Sequence, residues 1–320
     1  MQEVLESAEF VAENGSLVRI NIKALDRFVK RLDSGSLKAP PWDYRHHFYD
    51  GSEKTVAYLL ALDTINFCFW PGPDQKPWTF RYGGKNLSGY NALAAALKNA
   101  MESGVPMDDA EFLTSLDTQG LQKIFGTEGR LQLLDERVGA LNELGLLLLK
   151  KYQGRAAGIV EEAGNSALCL ARNLAKELFS YRDEAIFKHR RVFFYKRAQI
   201  ISADICGAFK GKKWGRFTDI DSLTVFADYK LPQVLRHLDI LAYSPELARK
   251  VEHMILLEPG SREEVEIRAN TIWASELIMR RLKQRGTRLK AFDIDWILWN
   301  LGQTDDYRIK PYHRTIGVFY

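Results

Sequence analysis

Three carboxylates fall within ten residues of one another, at Asp219, Asp221 and Asp228. The last is set between Phe226, Tyr229 and the Leu231-Pro232 turn. An acid held against aromatic rings loses part of its hydration. That raises its pKa or demands a partner, and acids in that state tend to do chemistry. The same aspartate is equally placed to cap the helix that runs from Pro232 onward. The residues alone leave both readings standing.

A second acid, Asp295, lies beside Trp296 and one helical turn before Trp299. An aspartate at a helix start amid tryptophans is either a cap or a base-recognition group under a stacking platform. In the second case its carboxylate accepts hydrogen bonds from the donor edge of a guanine-like base. Lys196 follows three aromatics, Phe193, Phe194 and Tyr195, and shares a helical face with Gln199, Ile200 and Ala203. A lysine with a shortened hydration shell can hold a phosphate or a carboxylate; a snorkelling surface lysine fits the same spacing. The tail brings Lys310, His313 and Arg314 within five residues, a plausible phosphate grip because arginine binds phosphate bidentately. A basic, frayed end is the plain alternative, but Ile316, Val318, Phe319 and Tyr320 give the tail apolar surface that favours docking. His47, in the polar and aromatic run 45–51, is open to ligand contact or to a simple loop role.

Helices must position these groups. Apolar spacing and caps predict helices over 21–32, 52–67 (Ser52 as cap), 88–103 (Ser88 as cap), 127–151, 163–179, 196–209, 245–256, 263–283 and 292–301. Ser261 with Glu264 forms a capping box. Strand signals are few. Residues 67–70 and 78–82 alternate aromatics around a Pro-Gly-Pro turn and are expected to pair as a hairpin, while 315–320 suits an extended tail. With no repeats and no long linker, the expected architecture is mostly α, one unit over 1–320. The stretch 71–84 is the only internal seam on offer.

Composition narrows the function classes. The chain has 320 residues, 46% hydrophobic and 27% charged, enough to bury a full core. A net charge of +4 is too mild for a nucleic-acid coat or a membrane surface, and suits a small anionic ligand. The longest apolar run, 144–149, falls far short of the ~20 residues that span a bilayer. The first residues lack the basic and apolar pattern of a signal peptide. Cys68, Cys169 and Cys206 are far apart, which points to a reducing, cytoplasmic setting rather than a disulfide framework. The histidines lack metal-ligand spacing, Gly83-Gly84-Lys85 lacks that of a phosphate-binding loop, and no metal or cofactor is expected.

The stretch Leu223-Thr-Val-Phe-Ala-Asp228-Tyr-Lys-Leu-Pro-Gln233 resembles the signature of the queuosine salvage proteins. Similar segments recur at 55–70, 87–90, 195–199, 266–269, 295–299 and 311–314; they are specific together rather than singly. The resemblance implies hydrolysis of the N-glycosidic bond of queuosine 5′-phosphate, releasing queuine for tRNA modification. It also implies a helical glycosylase-like fold with a small β-hairpin element, akin to helix-hairpin-helix DNA glycosylases. Leu231-Pro-Gln-Val lacks the Gly-Val-Gly hairpin with which those enzymes hold duplex backbone. That leaves a free nucleotide as the expected substrate and no duplex or membrane as partner. On this reading Asp228 is the first choice for stabilising the oxocarbenium-like transition state and Asp295 the second, the other acid reading the base edge. Phe226 and a tryptophan, Trp296 among them, would stack on the base, with Tyr229 and His47 as further substrate contacts. Lys196, His313 and Arg314 would hold the 5′-phosphate. A DNA or RNA base glycosylase and a non-catalytic nucleoside-binding protein remain as alternatives.

Overall fold

A computed structural model describes residues 1–72, 75–126, 128–129 and 131–319. In chain order the elements are α1 (Gln2–Asn14), β1 (Val18–Ile20), α2 (Ile22–Asp33), α3 (Glu53–Thr64), β2 (Thr79–Tyr82), β3 (Lys85–Ser88) and α4 (Gly89–Glu102). Five helices follow: α5 (Ala110–Ser115), α6 (Thr118–Phe125), α7 (Leu134–Tyr152), α8 (Ala157–Glu162) and α9 (Ala167–Glu177). The hairpin β4 (Glu184–Phe187) and β5 (Arg190–Phe193) leads into α10 (Lys196–Ala208). The remainder is α11 (Lys230–His237), β6 (Leu241–Tyr243), α12 (Pro245–Glu252), α13 (Arg262–Gln284) and α14 (Ala291–Leu301). The protein is mostly helical, and its strands form only antiparallel pairs, β1 with β6, β2 with β3 and β4 with β5.

Local chemistry explains the helix starts. Asn21 Oδ1 accepts from the Ala24 amide at 3.3 Å to open α2, and Ser52 Oγ accepts from Lys54 at 3.1 Å to open α3. Ser261 Oγ accepts from the Glu264 amide at 3.3 Å at the head of α13, but the Glu264 carboxylate reaches the Gly260 amide instead of that of Ser261. Ser88 precedes α4 without a side-chain cap bond. α3 is buried on all sides, Asp63 included, which is why its apolar residues show no single stripe. The buried apolar residues form one cluster running from Met1 to Leu298.

Several expectations are corrected. The strand 79–82 pairs with 85–88, not with 67–70, and its turn is Gly83-Gly84 at φ 55° and 79°. Two consecutive positive φ values match the right-handed strand twist, and glycine adopts them without strain. Residues 67–70 are irregular because their carbonyls are used elsewhere. The wholly buried Arg137 guanidinium takes the carbonyls of Ile65, Phe67 and Cys68. Thr127, the expected start of the fourth long helix, lies outside the described residues, as do Pro73 of the Pro-Gly-Pro turn and Tyr320; the described helix α7 begins at Leu134. The 163–179 helix shortens to α9, and 245–256 to α12. The tail is not an extended strand. It docks through one parallel bridge, Leu256 with Arg314, where the Leu257 amide donates to Arg314 O at 2.8 Å.

One buried ion pair ties the elements that matter most. Arg268 of α13 grips Asp183 with both nitrogens, Nη1 to Oδ1 at 2.7 Å and Nη2 to Oδ2 at 2.6 Å. Asp183 Oδ2 also accepts from the Lys196 amide at 3.1 Å, so it caps α10. That cap is needed because the residue at the N-cap, Tyr195, sits in the left-handed region at φ 50° with no side-chain cap bond. Arg268 Nε donates to the Ala227 carbonyl at 3.2 Å, next to Asp228. Breaking one half of a buried pair leaves an uncompensated charge. Arg268→Ala should therefore lower stability by about 3–5 kcal/mol in urea unfolding; a loss under about 1 kcal/mol, the size of a surface pair, would show that the pair is not holding the fold.

Candidate active site

Several parts of the chain converge on one cleft of about 440 Å³. The face of α10 contributes Lys196, Ile200 and Asp204, spaced four apart so that they point the same way. The segment before α11 contributes Phe226, Asp228 and Tyr229, and the first residue of α11 contributes Lys230. Helix α14 contributes Asp295, Trp296 and Trp299, and the loop before α3 contributes Trp42 and His47. Tyr90, in the first turn of α4, and Arg308 and Tyr312, near the end of the chain, complete the wall.

Asp228 both caps and lines. Its Oδ1 accepts from the amides of Lys230 at 2.7 Å and Leu231 at 2.9 Å, opening α11, while the carboxyl group faces the cleft. The two readings left open by the residues are both met by one side chain. Burial pushes its pKa up, against the pull of Lys196 and the two amides. Asp295 Oδ2 accepts from the Phe226 amide at 2.7 Å. Burial, and then the charge of Asp228, push its pKa well above the usual carboxylate range. Both acids are shifted upward, Asp295 further than Asp228, whose ionised form has Lys196 and two amides in its favour. Lys196 is buried, and its ammonium is pulled down to about 8 by desolvation, with Asp228 holding it up. Its Nζ donates to the Asn66 carbonyl at 3.4 Å.

Aromatic rings make the slot. Trp42 lies 6.3 Å from Trp296 and 4.6 Å from His47 between ring centroids, and Tyr90 meets Trp299 edge-on at 6.1 Å. Gly207 on α10 permits this wall, since a Cβ there would stand 2.8 Å from Trp42 Cε3 and 3.2 Å from Trp296 Cη2. At the mouth, Lys230 Nζ sits 5.2 Å over the Tyr312 ring, with Arg308 beside it and donating to Gly302 O at 3.4 Å.

Of the residues expected at the site, Asp228, Asp295, Lys196, Phe226, Tyr229, Trp296 and His47 all line the cleft. His313 and Arg314 are not among its lining residues. The tail bridge draws His313 inside, where burial holds its imidazole neutral, down at about 3, so it offers no cation. Arg314 stands behind the wall, 5.5 Å over Trp70 and 5.9 Å over Tyr312. Asp204, Tyr90, Trp42, Lys230 and Arg308 were missed. The spacing 196–200–204 was the one signal that would have found Asp204.

The fold and cleft define a class: a helical protein with paired carboxylates and a lysine inside an aromatic slot. Comparison with known proteins makes this specific. The family profile described as queuosine salvage protein matches residues 46–320, and the chain belongs to that family. A protein of Sphaerobacter thermophilus named queuosine 5′-phosphate N-glycosylase/hydrolase is 42% identical over 317 residues, covering 99% of this chain and 97% of the relative. Proteins of the same name from Mus musculus and Schizosaccharomyces pombe are 34% and 31% identical, over 98% and 99% of this chain and 98% and 96% of the relatives.

Gly207→Val should crowd Trp42 and Trp296. Overpacking of this kind costs about 1–3 kcal/mol, and the displaced indoles should shift the tryptophan emission. An unshifted spectrum with an unchanged melting temperature would show that the wall does not depend on this glycine.

Proposed function

We infer that this cleft is where the chain hydrolyses the N-glycosidic bond of queuosine 5′-phosphate, as its relatives are named for doing, and releases queuine. The observation that carries the assignment is Asp228. Its carboxyl is fixed by two backbone amides, faced by Lys196 and set in the cleft opposite a second, more strongly perturbed acid.

Breaking the bond builds positive charge on the ribose. Asp228, ionised with the help of Lys196, stabilises that charge and takes a proton from the attacking water. Asp295 meets the donor edge of the base, and the Trp42, Trp296 and Phe226 rings hold its faces. Lys230 and Arg308 at the mouth are the candidates for the 5′-phosphate, in the place first given to His313 and Arg314. A free nucleotide is favoured over duplex because the segment Leu231–Arg236, which lacks the Gly-Val-Gly sequence of a backbone-binding hairpin, is buried within α11. No described helix is long and apolar enough to cross a membrane. A cytoplasmic setting, with the chain acting as one unit, belongs to the same proposal and is supported by its three free thiols.

Asp228→Asn should keep the fold and lower kcat for queuosine 5′-phosphate by about 10²–10⁴-fold, since it removes the acid–base group; near-normal kcat would overturn the assignment. Lys230→Ala should raise KM more than it lowers kcat, because a phosphate contact persists from ground state to transition state. For Lys196 the sign is set by its lowered pKa. The ammonium is present below about 8 and lost above it, so substrate binding should weaken as pH rises through about 8. A KM that stays flat across that range would remove Lys196 from the binding set.

A further inference from the structure

One wall of the cleft holds a chain of hydrogen bonds whose protons can be counted. His47 Nδ1 lies 2.8 Å from the Asp43 backbone carbonyl. A carbonyl only accepts, so Nδ1 carries a hydrogen. His47 Nε2 lies 2.8 Å from the Tyr90 hydroxyl, and the same hydroxyl lies 3.1 Å from Asp204 Oδ2. Two hydrogen bonds need two hydrogens, and Tyr90 owns one. The second belongs either to Nε2, making an imidazolium, or to Asp204, making a neutral acid. His47 is 4% exposed and desolvation lowers its pKa to about 4, which disfavours the cation and places the second hydrogen on Asp204. Asp204 is 3% exposed, and burial raises its pKa to about 7. Below it in α3, Asp63 is fully buried, with Oδ2 lacking a hydrogen-bond partner, and its pKa is pushed well up by burial and then by Asp204.

We propose that Asp204 is the acid that protonates the departing base, with Tyr90 and His47 as the positioning residues that orient its carboxyl group and receive its charge. This rests on the glycosidase reading above and deepens it. The step balances. The bond between the anomeric carbon and the glycosidic nitrogen breaks, and its electron pair goes to the base. The Asp204 proton neutralises the base. Water oxygen bonds to the anomeric carbon, and its surplus proton goes to Asp228. Asp204 ends ionised and Asp228 neutral, and solvent exchange after product release restores both. As Asp204 loses its proton, Tyr90 turns its hydroxyl hydrogen from His47 to the new carboxylate, which stabilises the anion at the moment it forms. Asp228 and Asp204 thus divide the work, one acting on the sugar side and the other on the base side.

The test is the pH dependence of single turnover on queuosine 5′-phosphate. The groups facing Asp204 are Asp63 and Tyr58 from α3, Tyr90 from α4, His47 from the loop and Asp295 from α14, with Lys196 on its own helix. An acid must be protonated to act, so the wild-type rate should fall as pH rises through about 7. Asp204→Asn mimics the neutral acid in shape and hydrogen bonding. It should fold and bind queuine normally, lose about 10²–10⁴-fold in rate and lose that falling limb. Tyr90→Phe removes the donor that stabilises the carboxylate and should move the limb to higher pH. A limb that persists in Asp204→Asn, or that stays in place in Tyr90→Phe, overturns the proposal, as does a rate in Asp204→Asn close to that of wild type. Infrared difference spectra read the proton without turnover: a neutral carboxylic acid band that disappears as pH rises through about 7 should be present in the wild type and missing in Asp204→Asn, over any constant band from Asp63 and Asp295. Its absence from the wild type also overturns the proposal. Failure of wild type to release queuine, with that band present, would instead count against the substrate reading alone.

Discussion

The Arg268–Asp183 pair is the constraint on which the site depends. It is buried at both ends and bidentate, and each partner has a second task. Asp183 caps the helix that carries Lys196 and Asp204, while Arg268 holds the carbonyl beside Asp228. A buried ion pair of this kind is weak evidence for stability, because desolvation offsets most of the Coulomb attraction. Its value here is geometric. Two segments distant in sequence, the start of α10 and the turn before α11, are fixed to one guanidinium, and so to each other. The left-handed Tyr195 that begins α10 persists because this surrounding network over-determines it.

The cleft gathers more acid than a dry interior tolerates in ionised form. Asp228, Asp295 and Asp204 line the cleft and Asp63 is buried within reach of Asp204, while Lys196 and Lys230 both act on Asp228. Coulomb repulsion and desolvation allow one of them to be charged easily, and Asp228 is the acid with two amides and Lys196 in its favour. The others are pushed toward neutrality. On the proposed reading, this sorting would supply a base and an acid from a single residue type at one pH, as glycoside chemistry requires.

Much of the fold was legible. Apolar spacing located α2, α4, α10, α13 and α14 nearly to the residue, and the Ser52 cap fixed the start of α3 though its end falls at Thr64 rather than Phe67, because a cap and its amide are neighbours in sequence whereas a helix end buried on all sides leaves no stripe to read. The short helices α5, α6 and α8 and the β1–β6 pairing were not seen, since a few residues carry too little periodicity and a pairing between 18–20 and 241–243 leaves no local mark. The misplaced hairpin had a local cause that was available. Gly83-Gly84 is a turn signal stronger than Pro71-Gly72, and the aromatic alternation of 67–70 imitates a strand without a partner. For the tail, the apolar residues correctly implied docking, but docking is what removed His313 and Arg314 from the cleft.

By itself, the sequence determined that the chain is a mostly helical protein of the queuosine salvage type, and that Asp228 and Asp295 are acids set among aromatic rings. Those are statements about residue types and neighbours, which the chain order contains. Only the tertiary structure decided which charges meet. Lys196 faces Asp228, Lys230 and Arg308 take the mouth, and His47, Tyr90 and Asp204 join into one proton-bearing chain from three separate segments. Protonation follows burial and distance, and both are properties of packing rather than of sequence.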